Sequence, residues 1–168
     1  VSSDSLILIF VVLETSSLAL YTMIAMHNKM VSIEAAIKYF TMGALAAAFF
    51  VFGSMIFYAI TGTVELAQMA QILTEDGFLS KENYATYALV LVGFVFMFAA
   101  LGFKLSLFPY YVWVPDVYQG STSAMAGFLS VIPKMAGFVV ALRFFEIFIH
   151  ANDIIIQTML YVTVVLTM

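Results

Sequence analysis

Apolar stretches nearly as long as a bilayer is thick constrain the fold of this chain more than any other feature. Leu6–Met26, Ile33–Ile60, a long run from Tyr84 to about Val117, Ser121–Ile149 and Ile154–Met168 are divided by short polar breaks such as His27-Asn28-Lys29 and Thr61-Gly62-Thr63. A spanning helix needs about 20 mostly apolar residues. Inside hydrocarbon the backbone must satisfy its own hydrogen bonds, which a helix does within one segment. The expected fold is therefore all-α and integral to the membrane. It is a polytopic helix bundle with spans near 5–27, 33–61, 84–117, 121–150 and 154–168, the third of them a broken transmembrane helix. Hydrophobic residues make up 64% of the chain and charged residues 10%, with a mean hydropathy of +1.09. A soluble domain has about 45–50% and 25%.

Leu6–Met26 reads as a true span, because it is too long for a signal-peptide core and lacks a basic flank and a small-residue cleavage site. The chain starts at Val1 and its final apolar run is shorter than a span, so the sequence reads as a piece of a longer polytopic protein. Residues 62–83 form the longest break. They carry Glu65, Glu75, Asp76 and Glu82 against Lys81, with apolar residues around Val64–Leu73 spaced for a short amphipathic helix. Such a helix lies at the membrane interface or meets a partner.

Composition excludes several chemistries. Cysteine is absent, so disulfides, thiolate metal sites and cysteine-held iron–sulfur clusters are ruled out, and His27 and His150 are too few and too distant for haem or zinc. No cofactor is expected in this chain. The net charge of −4 is thinly spread, and no basic cluster points to nucleic acid or anionic headgroups.

The rare charges then stand out. Lys38, Lys104 and Lys134 lie within apolar stretches, where a charged amine costs roughly 2.5–3.5 kcal/mol and by default marks an ion or proton route. The stretch from Tyr84 is too long for one straight crossing and contains Pro109 and Pro115, so the helix should break within about 108–113. A break in a membrane helix is tolerated where protein or a water-filled cavity surrounds it. Lys104 stands just before that break, either solvated by freed backbone groups and water or snorkelling to the interface. Lys134 follows Pro133 near the middle of its span, too deep to snorkel easily. Gly127 and Gly137 near it suit close helix packing. Glu14, central in the first span, calls for a lysine partner on another helix. Glu34 and Lys38, four residues apart, share a helix face. Asp116 either caps the next helix or anchors the turn, and Arg143 with Glu146 reads as an interface pair.

The segment GFKLSLFPYYVWVPDVYQGSTSAMAGFLSVIPKMAGFVVALR closely resembles the core of the antiporter-like subunits of respiratory complex I, the proton-pumping NADH:quinone oxidoreductase. Its run F-P-x-x-x-W-x-P-D-V-Y-x-G looks most like the branch called N in bacteria and subunit 2 in mitochondria. Upstream, IEAAIKYFTMGALAAAFFVFG resembles the glutamate- and lysine-bearing helix of the same branch. The resemblance covers most of residues 10–143.

That resemblance implies part of one antiporter-like inverted repeat, with a second half-channel outside this sequence. It implies a proton path in which Glu14 pairs with Lys104 beside the broken helix, Lys134 connects onward, and Lys38 with Glu34 forms a further charged pair. Many relatives have a histidine in F-P-x-H where this chain has Tyr111, which leaves Tyr111 as a weaker relay because an unperturbed tyrosine titrates near 10. It further implies membrane-arm partner subunits, with NADH, FMN, iron–sulfur clusters and quinone held by partners, in a bacterial cytoplasmic (inner) membrane. Lysine counts around the first loops are balanced, and the resemblance favours the Lys29 loop on the cytoplasmic side. Two alternatives remain open at this point. One is a subunit of a cation/proton antiporter or membrane-bound hydrogenase, and the other is a structural membrane module whose lysines merely pair helices.

Overall fold

Backbone self-sufficiency produces an all-helical chain. The computed structural model of the protein describes residues 3–74, 84–150 and 154–168. Its helices are α1 (Leu6–Ala25), α2 (Met30–Thr61), α3 (Leu66–Thr74), α4 (Tyr84–Leu105), α5 (Trp113–Gly120), α6 (Ser123–His150) and α7 (Ile154–Thr167). Four of them, α1, α2, α4 and α6, are long and apolar enough to cross a membrane. The acidic part of the 62–83 loop, with Glu75, Asp76, Lys81 and Glu82, lies outside the described residues.

The helix ends follow local chemistry. Gly62 closes α2 in the left-handed conformation (φ 71°), where a side chain would be strained, and its N–H donates to the Tyr58 carbonyl at 2.7 Å. The chain entering α1 and the chain entering α3 run antiparallel. Leu6 N–H donates to the Val64 carbonyl and Leu66 N–H to the Asp4 carbonyl, each at 2.9 Å. Each bond gives a partner to a first-turn donor that its own helix leaves unpaired. The short helix expected around Val64–Leu73 is present as α3. Its apolar side, Leu66, Met69 and Leu73, is buried in the bundle core with Val140, Phe144, Ile147 and Phe148, so protein covers it.

The broken third span is where sequence and structure differ in detail. Proline at 109 suggested a break within 108–113, yet α4 already ends at Leu105. The physical reason is a left-handed Ser106 (φ 58°): Leu107 N–H donates to the Gly102 carbonyl at 2.9 Å and Ser106 N–H to the Phe103 carbonyl at 3.2 Å. These are the two bonds of a Schellman ending, here made without its usual glycine. The break therefore covers 106–112, starting two residues before the expected 108–113 and overlapping most of it, and it contains the cis Phe108–Pro109 bond. Pro115, expected to help break the helix, instead sits in the first turn of α5, where a missing N–H leaves no bond unmade. Pro133 lies inside α6, which continues through it.

Two apolar cores result. One centres on Phe57, Phe94, Met97, Phe144 and Phe148, the other on Tyr21, Tyr39, Phe103, Trp113, Val117 and Leu129. Helix α2 contributes to both, with Phe50 and Phe57 in the first and Ala35, Ala36, Tyr39 and Ala46 in the second, and small residues let its neighbours approach. At Gly120, which ends α5, an added methyl would overlap Ala35 Cβ and come within 2.9 Å of the Val31 carbonyl oxygen. Ser32 Oγ donates to the Gly120 carbonyl at 2.7 Å. Gly120→Ala is therefore expected to push α5 off α2, at the ~1–3 kcal/mol typical of overpacking. A lower melting temperature of the purified full-length protein would register it, and an unchanged one would contradict this packing.

Candidate functional site

Membrane-depth charges survive when they find partners: Lys104 and Lys38 meet carboxylates, and Lys134 lies over an aromatic ring. Lys104 occupies the last turn of α4, one residue before the helix ends. Its ammonium reaches across to α1, where Glu14 Oε1 lies 3.1 Å away and Ser17 Oγ also accepts from it. Glu14 and Ser17 stand three apart and so project from the same face of α1. Ser17 donates its own proton to the Leu13 carbonyl at 2.8 Å, which leaves its lone pairs for the lysine. The two side chains are 11% and 20% exposed, and Leu13, Ala46, Phe50, Ala100 and Leu101 wall them in. The Glu14–Lys104 contact expected from the sequence is thus present. Ser17 was not singled out in the sequence, although its place one turn after Glu14 was a readable signal.

Lys38 has carboxylates on two sides. Its Nζ is 2.8 Å from Glu34 Oε1 and 2.7 Å from Asp116 Oδ2, joining α2 to α5. The Glu34 pairing follows from the four-residue spacing. Asp116, expected as a cap or turn anchor, is the second partner of Lys38. No spacing rule links positions 38 and 116, so this contact was hidden until α5 folded back along α2. All three side chains are about half exposed on this chain.

Lys134 has no carboxylate within ion-pair distance among the described residues. Its Nζ lies 5.8 Å from the centre of the Tyr118 ring. One turn further along α6, Gly137 faces the Lys104 stem; a methyl there would sit 3.4 Å from Lys104 Cβ. Lys104 and Lys134 therefore flank the same α4–α6 seam.

The break supplies one inward tyrosine, and it is Tyr110. Tyr110 packs against Gly102 and Phe98, with ring centres 6.4 Å apart for the second pair. Tyr111, the relay candidate, is 47% exposed and its ring leans on Phe108 at 6.3 Å. Among the described residues, no hydrogen bond joins Tyr111 to Lys104 or Lys134. Arg143 reaches the start of the chain, donating to the Ser3 carbonyl at 2.7 Å and pairing with Asp4. That places it in the structural tie between the N-terminal segment and α6. Among the described residues no three His, Cys, Asp or Glu side chains gather as a metal-holding group.

Over residues 3–168 the chain matches the family model described as NADH:quinone oxidoreductase/Mrp antiporter, TM. It is 59% identical over 168 residues to NADH-quinone oxidoreductase subunit N of Sulfurimonas denitrificans, covering 100% of this chain and 32% of that protein. It is 47% identical over 167 residues to NADH-quinone oxidoreductase subunit N of Helicobacter hepaticus, covering 99% and 33%. Among solved structures it is similar to a chain of respiratory complex I from Thermus thermophilus with bound aureothin. That match has a TM-score of 0.70 and 37% identity, and covers 84% of this chain and 30% of the other. It is also similar to a chain of the membrane-bound sulfane sulfur reductase, an archaeal respiratory membrane complex, with a TM-score of 0.69 and 26% identity over 82% of this chain and 26% of the other. The chain spans about one third of the length of the curated relatives it matches.

Proposed function

This chain belongs to the NADH:quinone oxidoreductase/Mrp antiporter transmembrane family, and from that premise we propose that it is a proton-carrying part of an NADH:quinone oxidoreductase membrane subunit. The whole protein would sit in a bacterial cytoplasmic membrane among other membrane-arm subunits. Quinone reduction would take place elsewhere in the assembly, with NADH, FMN and iron–sulfur clusters in partner subunits. The observation that carries the reading is Lys104: an ammonium at the end of a broken membrane helix, held by Glu14 at 3.1 Å and by Ser17. The identity with subunit N relatives supports this reading over an antiporter or hydrogenase subunit.

The chemistry follows from the residue types. A lysine enclosed by apolar walls keeps its proton while a carboxylate faces it, and yields the proton when that carboxylate moves or is neutralised. Glu14 is the movable partner, since it projects from a different helix than Lys104. Lys134, across the α4–α6 seam and without a carboxylate of its own among the described residues, is the next acceptor. The Lys38 cluster with Glu34 and Asp116 would be the further charged station. Asp116 lies on the same short α5 that follows the break, so displacement of α5 alters the field at Lys38. No bound group is needed for any of these steps.

Glu14→Gln tests the proposal. The amide keeps the shape and can accept one hydrogen bond, but the charge opposite the ammonium is gone. In inverted membrane vesicles carrying the full-length subunit, NADH-driven proton uptake per assembled complex is expected to fall about 10- to 150-fold, as for loss of roughly 1.5–3 kcal/mol from a charge-assisted bond. Wild-type uptake at normal assembly would contradict the role given to Glu14.

A further inference from the structure

We propose that Tyr118 is the residue that positions Lys134, holding its ammonium against the face of the aromatic ring; this rests on the reading of Lys134 as a proton-carrying site. The Nζ–centroid distance of 5.8 Å is within the ~6 Å at which a ring's negative face attracts a cation. With no carboxylate within ion-pair distance among the described residues, the ring is the stabilising neighbour that the structure gives this amine. Attraction of this kind acts on the ammonium and is lost by the neutral amine, so Lys134 is held on α5 while protonated and released when it gives up its proton.

The ring is held in turn by packing. Trp113 meets Tyr118 edge to face at 6.5 Å and 79°, stacks on Tyr39 at 4.5 Å and 16°, and leans on Phe103 at 5.2 Å. The Tyr118 hydroxyl is buried and has no hydrogen-bond partner among the described residues. The ring's place therefore does not depend on a bond from its hydroxyl. Tyr118 also stands two residues after Asp116, and residues two apart on a helix point about 200° away from each other. One short helix thus offers a carboxylate to Lys38 on one side and an aromatic face to Lys134 on the other. It is joined to Lys104 through the break. A shift of α5 would act on all three lysines together.

Substitutions in the full-length subunit of the assembled membrane complex test the inference. Tyr118→Leu removes the ring and is expected to lower proton uptake about two- to thirtyfold, the range of a cation–π contact. Tyr118→Phe keeps the ring and should recover most of that loss. The decisive series places phenylalanine carrying one, two or three ring fluorines at position 118, which drains the negative face at nearly constant shape. Uptake per assembled complex should step down with each fluorine. A merely structural ring would give a flat series, and a flat series, or equal activity for leucine and phenylalanine, overturns the inference. Lys134→Ala, measured alongside, separates the two levels. If it pumps normally, the reading of Lys134 fails and this inference with it; if it is inactive while the fluorine series is flat, only the role of Tyr118 fails.

Discussion

Lys104→Ala is expected to stop proton uptake and to weaken assembly at the same time. The substitution deletes the proposed proton site and leaves Glu14, 20% exposed and walled by apolar side chains, as an uncompensated carboxylate. Removing one partner of a buried pair costs about 3–5 kcal/mol, because the remaining charge keeps its desolvation penalty without the attraction that offset it. A native gel should therefore show less intact complex. Loss of a positioned acid–base group typically costs about 10²–10⁴ in rate, so uptake per assembled complex should fall by roughly that factor. Adding Glu14→Gln to Lys104→Ala removes the stranded charge. Assembly should recover, whereas proton uptake should not. Recovery of both would mean that neither side chain carries the proton and that the defect of Lys104→Ala comes from the stranded carboxylate alone.

Lys134→Ala separates function from folding more cleanly. Lys134 is half-buried over Tyr118 and has no carboxylate partner among the described residues, so its removal strands no charge. Assembly is expected to be near normal, in contrast to Lys104→Ala. Proton uptake and the coupled quinone reduction should still fall by about 10²-fold or more, because no other described side chain at that place on α6 can take up a proton. Lys134→Arg should also depress both activities, since a guanidinium is effectively never deprotonated. Normal pumping in Lys134→Ala at normal assembly would reject the role.

Much of this was legible in the sequence, for identifiable reasons. Span-length apolar runs fix the helices, because a membrane permits few other backbone solutions. A lone glutamate in α1 and a lone lysine in α4 predict each other, because each alone would be expensive. The spacing of Glu34 and Lys38 gives their contact directly. Other features depend on tertiary placement. The end of α4 at Leu105 rests on a left-handed Ser106, a residue type that carries no such signal in sequence. Asp116 meets Lys38 only because α5 folds back onto α2, and Tyr118 meets Lys134 only because the same short helix also packs on α6. The inward residue of the break is Tyr110 and the outward one Tyr111. Neighbouring tyrosines in an irregular segment have no periodicity from which to assign their sides.

The central claim is that Lys104 works by gaining and losing a proton, beyond any part it has in joining helices. Lys104→Arg isolates that difference, because arginine can keep the ion pair with Glu14 but does not release its charge. The measurement is NADH-driven proton uptake by sealed vesicles, normalised to intact complex on a native gel, with full-length subunit carrying Lys104→Arg. The expected result is intact complex near the wild-type amount with proton uptake lowered about 10²-fold or more. Proton uptake at the wild-type rate would contradict the account, because a pair that pumps without a releasable proton is serving only as structure.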